Sequence, residues 1–331
     1  MKLNPDSTPT SSPQSLKELI QLSARELGFD HLGFARAQPL TQPTERLEQW
    51  LARGHHASMG WLETRRKERM NIHEYFPGAR TMISLTMNYY TGTTRERINQ
   101  TEGKVKISNY AWGDDYHRLI KQKLMTLKRR ILDHDPSLTI LTCVDTSPVM
   151  EKAWAEQAGL GWIGKHTNLI TRDRGSWLFL AELILNIDLE PDRPFTSDLC
   201  GTCTACIDAC PTQALTEYEL DARKCISYLT IEHRGPLPED LSDRFQGWIY
   251  GCDICQEVCP WNHKFSQPSP EPAFQPQEAL SSWTVIDWQQ LDKQQFTGLF
   301  RHSAIKRTKF EGLKRNIQVA FPKKEPINND E

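Results

Sequence analysis

The chain has 331 residues, of which 38% are hydrophobic, and its formal net charge is -2. This length predicts two or three domains with apolar cores, and the balanced charge excludes bulk attraction to polyanions, so any nucleic-acid surface must come from local charge asymmetry. Because no stretch approaches the roughly 20 apolar residues that span a bilayer, and the polar start lacks a signal core, we expect a cytoplasmic protein with no membrane partner.

Residues 1–14 are rich in Ser, Thr and Pro and lack apolar periodicity, which predicts a disordered tail. Helices and strands then alternate, which predicts a mixed α/β unit over about residues 15–190. Apolar residues recur at helical spacing over 15–27, 43–54, 116–133 and 149–158, and strand patterns cover 29–35, 81–87, 138–144 and 177–185.

Asp145 directly follows the apolar run 138–144, and open α/β sheets bind ligands at the carboxyl ends of their strands. A carboxyl group shielded there by apolar neighbours would tend to keep its proton, which makes Asp145 a candidate general acid. The alternative is a helix cap, because an Asp or Ser ahead of Pro148 can cap the helix that follows. Ser147 could fill that role and leave Asp145 free.

Gly159, Gly161 and Gly164 match the G-x-G-x-x-G pattern of dinucleotide-binding loops. That fingerprint needs a strand before the loop and a helix after it, whereas here a helical pattern precedes and a strand pattern follows. We interpret the segment as a helix end plus a loop whose backbone lies close to something flat or bulky, since glycine has no Cβ to obstruct the approach.

From residue 191 to about 262, cysteines, prolines and short segments replace the periodic pattern, and we expect metal ligation rather than a large apolar core to stabilise this part. Eight of the nine cysteines form two runs with the spacing of [4Fe-4S] ligands, each ending in Cys-Pro. In such runs the cysteine before the proline binds the neighbouring cluster. The spacing predicts one cluster on Cys200, Cys203, Cys206 and Cys259, and the other on Cys210, Cys225, Cys252 and Cys255.

Two other interpretations of the cysteines need weighing. A disulfide framework suits small secreted chains rather than one of this length. Zinc is harder to exclude, because Cys-x2-Cys pairs also form sites with four thiolate ligands; the two Cys-Pro endings favour iron-sulfur. The ninth cysteine, Cys143, is predicted to be a small buried hydrophobic residue.

Residues 266–277 form a proline-rich connector that we expect to be extended. Between Arg301 and Lys324 the chain carries eight Lys or Arg residues against one acid, Glu311. Phenylalanines interleave with these charges, which favours a nucleic-acid surface whose binding would be salt-sensitive, although a solvated face or an acidic protein partner also fits. The candidate contacts are Lys306, Arg307, Lys309, Lys314 and Arg315.

The residues 144–170, VDTSPVMEKAWAEQAGLGWIGKHTNLI, together with the two cysteine runs and residues 225–234, CISYLTIEHR, closely resemble the epoxyqueuosine reductase family. The resemblance covers about residues 15–320. This family consists of iron-sulfur and cobalamin enzymes related to reductive dehalogenases, which perform the last step of queuosine synthesis in tRNA.

The resemblance implies an α+β protein with a nitroreductase-like corrinoid-binding α/β domain over 15–190 and a ferredoxin-like domain with two [4Fe-4S] clusters over 191–262. The connector and basic segment would then occupy 263–331. It further implies base-off cobalamin and reduction of the epoxide at the wobble position of the tRNA anticodon arm, with Asp145 as proton donor. The electron donor is not identified. Longer relatives append helical repeats, and this sequence has too few residues after the cysteine-rich part for several of them. We therefore expect the basic segment to carry much of the tRNA contact.

The residues expected to contact cobalamin are implied by the family resemblance and not by the spacing of any motif. Two other functions stay open: a corrinoid enzyme acting on a small molecule, as in reductive dehalogenases, and a two-cluster electron carrier. Cobalamin binding by the purified protein discriminates the last of these. The implied cofactor contacts are Arg69, Tyr110, Asp115, Asp145, Gly161, Lys165, Asn168 and Ser227.

Overall fold

The computed structural model describes residues 13–92 and 104–322. The predicted disordered tail, residues 1–14, lies outside this range except for its last two residues, which begin the first helix, α1 (Pro13–Glu26). Among the helices of the described part, none has the length and apolar character that crossing a membrane requires.

A four-stranded sheet forms the centre of the first half, with strand order β1-β2-β7-β4 and only antiparallel pairs. All of β2 is buried, and so is most of β7, because the sheet is covered on both faces, which explains their apolar sequences. The sequence argument for Asp145 assumed an open α/β sheet, in which ligands bind at the carboxyl ends of parallel strands. That assumption is wrong, because the strand pairs of this sheet are antiparallel. The four strands are β1 (His31–Arg36), β2 (Thr81–Asn88), β4 (Ile140–Cys143) and β7 (Leu178–Leu185).

Helices cover both faces of this sheet. On one face α1 packs with the long helix α6 (Tyr116–His134), whose buried side chains recur at helical spacing. On the other face α7 (Glu151–Gln157) buries Trp154 against a cluster that includes Cys143, which is 1% exposed, as predicted. The remaining helices of this half are α2 (Thr41–Ala52), α3 (Trp61–Thr64), α4 (Arg66–Met70) and α5 (Ile72–Tyr75).

The cysteine-rich part contains a small apolar cluster, against which Trp50 and Met59 of the first half also pack. Leu229, Phe245 and Trp248 are at most 1% exposed within this cluster. Its short elements are α8 (Ala205–Asp208), β8 (Leu215–Thr216), β9 (Glu219–Leu220), α9 (Ile226–Ile231), α10 (Glu239–Ser242), β10 (Trp248–Tyr250), α11 (Ile254–Glu257) and α12 (Pro260–Phe265).

Residues 278–320 of the predicted basic C-terminal part form a series of short helices. The connector is only partly extended, because it contains a 3-10 turn, Pro272–Phe274, whose Phe274 enters the core beside the sheet. A further core joins the last helices to residues 105–112, and β3 (Lys106–Ile107) pairs with β10 across the predicted domain boundary. The helices are α13 (Glu278–Ser282), α14 (Val285–Gln290), α15 (Lys293–Phe300) and α16 (Lys309–Ala320), with 3-10 turns at Asn109–Ala111 and Ala304–Thr308.

Candidate functional site

Asp145 lies on a loop whose backbone is unusual. It follows β4 and adopts φ of 52°, the left-handed region that a non-glycine residue rarely occupies. Its backbone N–H donates to Glu151 Oε1 over 2.6 Å, and its side chain is 56% exposed. Helix α7 begins at Glu151 with no side-chain cap, so the cap role considered for Asp145 and Ser147 is wrong. A strained residue held by its surroundings at an open position is typical of functional loops.

His117 connects Asp145 to a second carboxylate. Its Nε2 lies 2.9 Å from Asp145 Oδ2, and its Nδ1 lies 2.8 Å from Asp115 Oδ1. Asp115 caps helix α6 by accepting from the His117 backbone N–H, and its other oxygen accepts from Lys306 Nζ over 2.7 Å. Asp115, predicted to contact the cofactor, is therefore engaged in orienting His117.

These partners set the charges of the pair. Desolvation alone would lower the pKa of His117, but the hydrogen bonds and charges of Asp115 and Asp145 outweigh it and raise the pKa to about 9. Desolvation pushes the pKa of Asp145 upward, yet His117 and the Tyr116 hydroxyl hold it below its ordinary value. The expectation that Asp145 keeps its own proton is therefore wrong, because apolar shielding is outweighed by an adjacent cation. The proton resides mainly on His117.

Aromatic side chains form one wall of this site. The Tyr116 ring stacks on His117 with centroids 4.0 Å apart and on Phe179 at 4.1 Å. The Tyr110 hydroxyl donates to the Tyr250 hydroxyl over 3.2 Å. Desolvation raises the pKa values of Tyr110 and Tyr116 well above the ordinary range, so both stay neutral hydrogen-bonding groups.

Two carboxyl groups meet behind the Asp145 loop. Glu182, in the middle of β7, is fully buried. Desolvation and then the neighbouring Glu151 raise its pKa, and desolvation with the charge of Asp145 raises the pKa of Glu151 to about 7. Since two adjacent buried carboxylates cannot both be ionised at moderate cost, the pair holds a proton at neutral pH.

Buried polar atoms without a partner lie near the start of α7. Within the described residues, Arg69 Nε and His166 Nε2 have no hydrogen-bond partner. The charges of Glu151 and Asp145 act on Arg69, which therefore lies close to the Asp145 loop, while the charge of Lys152 in α7 acts on His166. Desolvation lowers the pKa of His166 to about 4, so its ring is neutral. An unsatisfied buried polar atom costs free energy unless a ligand completes it.

The loop after α7 carries three more implied cofactor residues, Gly161, Lys165 and Asn168, and each of them has contacts within the chain. A Cβ on Gly161 would lie 2.0 Å from the Ile170 carbonyl oxygen, so close packing within the chain already requires this glycine. As predicted, a helix precedes this glycine motif and a strand, β6 (Leu169–Ile170), follows it. This strand pairs with β5 (Trp162–Ile163), which lies between the second and third glycines. Lys165 Nζ lies 2.6 Å from Glu217 Oε1, and the Asn168 backbone N–H donates to His166 Nδ1 over 3.2 Å.

The predicted cluster cysteines fall into two neighbouring groups. Desolvation, followed by the nearby sulfurs of Cys200, Cys259 and Cys203, raises the pKa of Cys206 to about 11. Desolvation is the largest cause of the raised pKa of Cys255, and the nearby sulfur of Cys225 is the second largest.

Members of the second group adjoin one another and the first group. Cys206 and Cys210 also act on Cys255, so the two groups lie side by side. The backbone N–H groups of Tyr228 and Ser227 point at Cys225 Sγ. In the described part of the chain no three His, Cys, Asp or Glu side chains gather closely enough to hold a single metal ion; in a [4Fe-4S] cluster each cysteine binds a different iron.

The predicted nucleic-acid residues are not equivalent. Lys309 is exposed, whereas Arg307 makes two hydrogen bonds of 2.9 Å to Glu232. Lys314 donates to the Gln289 carbonyl over 2.6 Å. Arg315 turns inward and donates to the backbone carbonyls of Leu229, His233 and Gly235.

Sequence reasoning missed His117 and Glu151. The implied cofactor contacts Tyr110 and Asp115 stop two residues short of His117. The signal was available as an acid and a histidine two residues apart at a helix start, but their partner Asp145 is 28 residues further along the chain.

Comparisons with known proteins agree with this geometry. The chain is an iron-sulfur oxidoreductase of mixed helix and sheet: a family model described as "4Fe-4S double cluster binding domain" matches residues 199–262. A second model, "Epoxyqueuosine reductase QueG, DUF1730", matches residues 69–146. The chain belongs to the epoxyqueuosine reductase family, as the sequence resemblance predicted.

Individual relatives cover nearly the whole chain. The epoxyqueuosine reductase of Cellulophaga algicola is 46% identical over 91% of this chain and 96% of its own length. A crystal structure of an epoxyqueuosine reductase with an epoxyqueuosine-modified tRNA-Tyr stem loop is 30% identical, with a TM-score of 0.84 over 93% of this chain and 81% of that one. The Bacillus subtilis enzyme, in a form with its catalytic aspartate loop swung out of the active site, is 27% identical with a TM-score of 0.82 over 93% and 82% of the two chains.

Proposed function

We propose that this protein reduces the epoxide of epoxyqueuosine to the alkene of queuosine at the wobble position of tRNA in the cytoplasm. The reaction consumes two electrons and two protons, breaks both C–O bonds of the ring, and releases the oxygen as water. The observation that carries the proposal is the His117–Asp145 pair, which holds a transferable proton in a chain 46% identical to an epoxyqueuosine reductase. The physiological electron donor is unidentified.

Asp145 is the group that protonates the departing oxygen. The imidazolium of His117, whose Nε2 lies 2.9 Å from Asp145 Oδ2, returns a proton to Asp145. The two side chains therefore share one proton, which lies on His117 in the ion pair and on Asp145 in the neutral form. Protonation matters because an alkoxide is a poor leaving group. Asp115 and the Tyr116 ring hold the His117 ring in place.

Replacing His117 with glutamine should change the pH dependence of turnover. The raised pKa of His117 means that the pair keeps its proton below about pH 9 and loses it as the pH rises through that value. In H117Q, Asp145 holds the proton alone, so turnover at pH 8 should fall ~10²-fold and its decline should begin at lower pH. The measurement is a pH-rate profile, with H134Q on the exposed end of the same helix as control. An unchanged profile in H117Q would remove His117 from the mechanism.

Cys200, Cys203, Cys206 and Cys259 would hold one [4Fe-4S] cluster, and Cys210, Cys225, Cys252 and Cys255 would hold a second, so that electrons could be supplied one at a time. The adjacency of Cys206 with Cys200, Cys203 and Cys259, and of Cys255 with Cys210 and Cys225, supports this ligand assignment. Backbone N–H groups aimed at Cys225 favour its thiolate. We also propose that domain boundaries lie near residues 190 and 262. The pairing of β3 with β10 would then join the first domain to the cysteine-rich domain.

Base-off cobalamin is the second cofactor in this proposal. The orphaned Arg69 Nε and His166 Nε2 fit a ligand that carries many amide groups, because each could be completed by a carbonyl or amide of the corrin. Arg69, Tyr110, Asn168 and the Asp145 loop would hold it, while Gly161, Lys165, Asp115 and Ser227 remain predicted contacts. When bound, cobalamin supplies low-valent cobalt as a carrier of the two electrons next to the epoxide.

The tRNA contact of the C-terminal helices should depend on individual cations. K309Q should weaken binding of an anticodon stem loop and reduce the slope of log affinity against log salt by about one, because one phosphate contact is lost. R315Q should instead lower the melting temperature, since three backbone carbonyls lose their donor. Binding titrations between low and high salt test this, with K121Q as control. Equal slopes for K309Q and the unmodified protein would count against this surface.

The experiment that tests the function is incubation of the anaerobically reconstituted protein with cobalamin, a chemical reductant and an epoxyqueuosine-containing anticodon stem loop. Mass spectrometry of the digested RNA should show the modified nucleoside losing one oxygen atom. A nucleoside that keeps its oxygen under these conditions would contradict the proposed activity.

A further inference from the structure

Trp61 is a large apolar side chain on the surface. It is 46% exposed on the short helix α3, whereas the five largest fully buried side chains among the described residues are all tryptophans. An exposed indole is a stacking platform, since it offers a wide π face at low conformational cost. The tryptophans with the deepest burial are Trp112, Trp162, Trp177, Trp248 and Trp288.

Cationic side chains follow Trp61 directly. Arg65, Arg66 and Lys67 are exposed, and the Arg69 guanidinium lies over the Trp61 ring, 5.4 Å from its centroid. Glu68 neutralises part of this charge through its 2.6 Å contact with Arg65 Nε. Within the described residues neither Arg66 nor Lys67 makes an ion pair, and both side chains are exposed to solvent.

This surface is continuous with the catalytic loop. Desolvation lowers the pKa of the Arg69 guanidinium, and the negative charges of Glu151 and Asp145 oppose this shift. The Tyr75 hydroxyl, beneath the Arg65 guanidinium, hydrogen-bonds to Ser147, two residues after Asp145. A macromolecule that has its reacting group at Asp145 and continues past Arg69 would reach Trp61, since the Arg69 guanidinium lies over the Trp61 ring.

We propose that Trp61, Arg65, Arg66 and Lys67 form a docking surface for the unpaired nucleotides that flank the wobble base of an RNA loop. A base stacks on Trp61, and the phosphates beside it pair with the cations. This inference rests on the proposed function, because it names where the substrate of that same site is held. An unpaired loop fits better than a duplex, since only splayed bases offer their faces to an aromatic side chain. The charge is complementary to phosphate.

The test measures affinity of the reconstituted complete chain for an anticodon stem loop and for a fully paired hairpin of equal length and charge. W61A should weaken stem-loop binding by ~10-fold to 100-fold, W61F should retain most of the affinity, and neither should alter hairpin binding. R66Q/K67Q should weaken both RNAs and flatten their salt dependence. I286A, at another exposed apolar residue, and R129Q, at an exposed cation of α6, are the matched controls.

Stem-loop binding by W61A equal to that of the unmodified protein would overturn the inference, as would an equal loss for the paired hairpin. A W61A defect seen only in reduction by an acidic donor protein would also overturn it, in favour of an electron-donor surface. The proposed function fails separately: a protein that binds the stem loop through Trp61 but leaves the epoxide intact keeps this surface and loses the proposed chemistry.

Discussion

Asp145→Asn should lower turnover of epoxyqueuosine RNA by ~10²-fold to 10⁴-fold, the range that a positioned general acid contributes. Asparagine preserves the shape of the side chain but cannot pass a proton to the departing oxygen. Because the Asp145 side chain is 56% exposed, the fold and the clusters should survive the change. Rates are measured under single-turnover conditions, with iron content and melting temperature determined on the same sample.

The control for this substitution is D133N, at an exposed carboxylate of α6, which should behave like the unmodified protein. The double variant D145N/H117Q should be no slower than D145N, because residues that act as one proton-holding unit lose their contribution once. A D145N protein with near-normal turnover, or a double variant with multiplied losses, would show that the pair does not carry the proton.

Cys225→Ala should abolish turnover and reduce the iron content from about eight to about four atoms per chain. Cys225 stands apart from both cysteine runs in the sequence, yet after desolvation its sulfur is the largest cause of the raised pKa of Cys255. Its loss therefore removes one ligand from one cluster and leaves the other cluster complete. Iron and acid-labile sulfide analysis together with the visible absorption spectrum provide the measurement.

Cys143→Ala is the matched control for that variant, because Cys143 is the one cysteine outside the predicted ligand set and is buried in the core. It should keep about eight iron atoms. Full iron content in C225A, or a loss in C143A as large as that in C225A, would contradict the ligand assignment.

The elements of the first half could be predicted because their apolar patterns are local. The structure places α6 at Tyr116–His134 and β2 at Thr81–Asn88, each within a residue or so of the sequence prediction. Strand pairing could not be predicted in the same way, since it depends on contacts between distant segments: β7 pairs with β2 and β4, which precede it by many residues. The antiparallel sheet followed from those contacts alone.

The site shows the same division. Asp145 was found because it ends an apolar run, but its charge state depends on His117 from another element, so the predicted protonation was wrong. Likewise a basic run reveals how many cations it contains but not their directions. Arg315 binds backbone carbonyls while Lys309 is exposed, and only tertiary packing distinguishes them.

In the proposed mechanism, two adjacent clusters would supply electrons to a corrinoid beside the Asp145 loop. To test this mechanism, one anaerobic preparation is reconstituted with iron, sulfide and cobalamin, the bound metals are counted, and the stem loop is assayed with each component withheld in turn. We predict about eight iron atoms and one cobalt atom per chain, with no conversion when either is omitted. Zinc in place of iron, or full conversion without the corrinoid, would contradict the account.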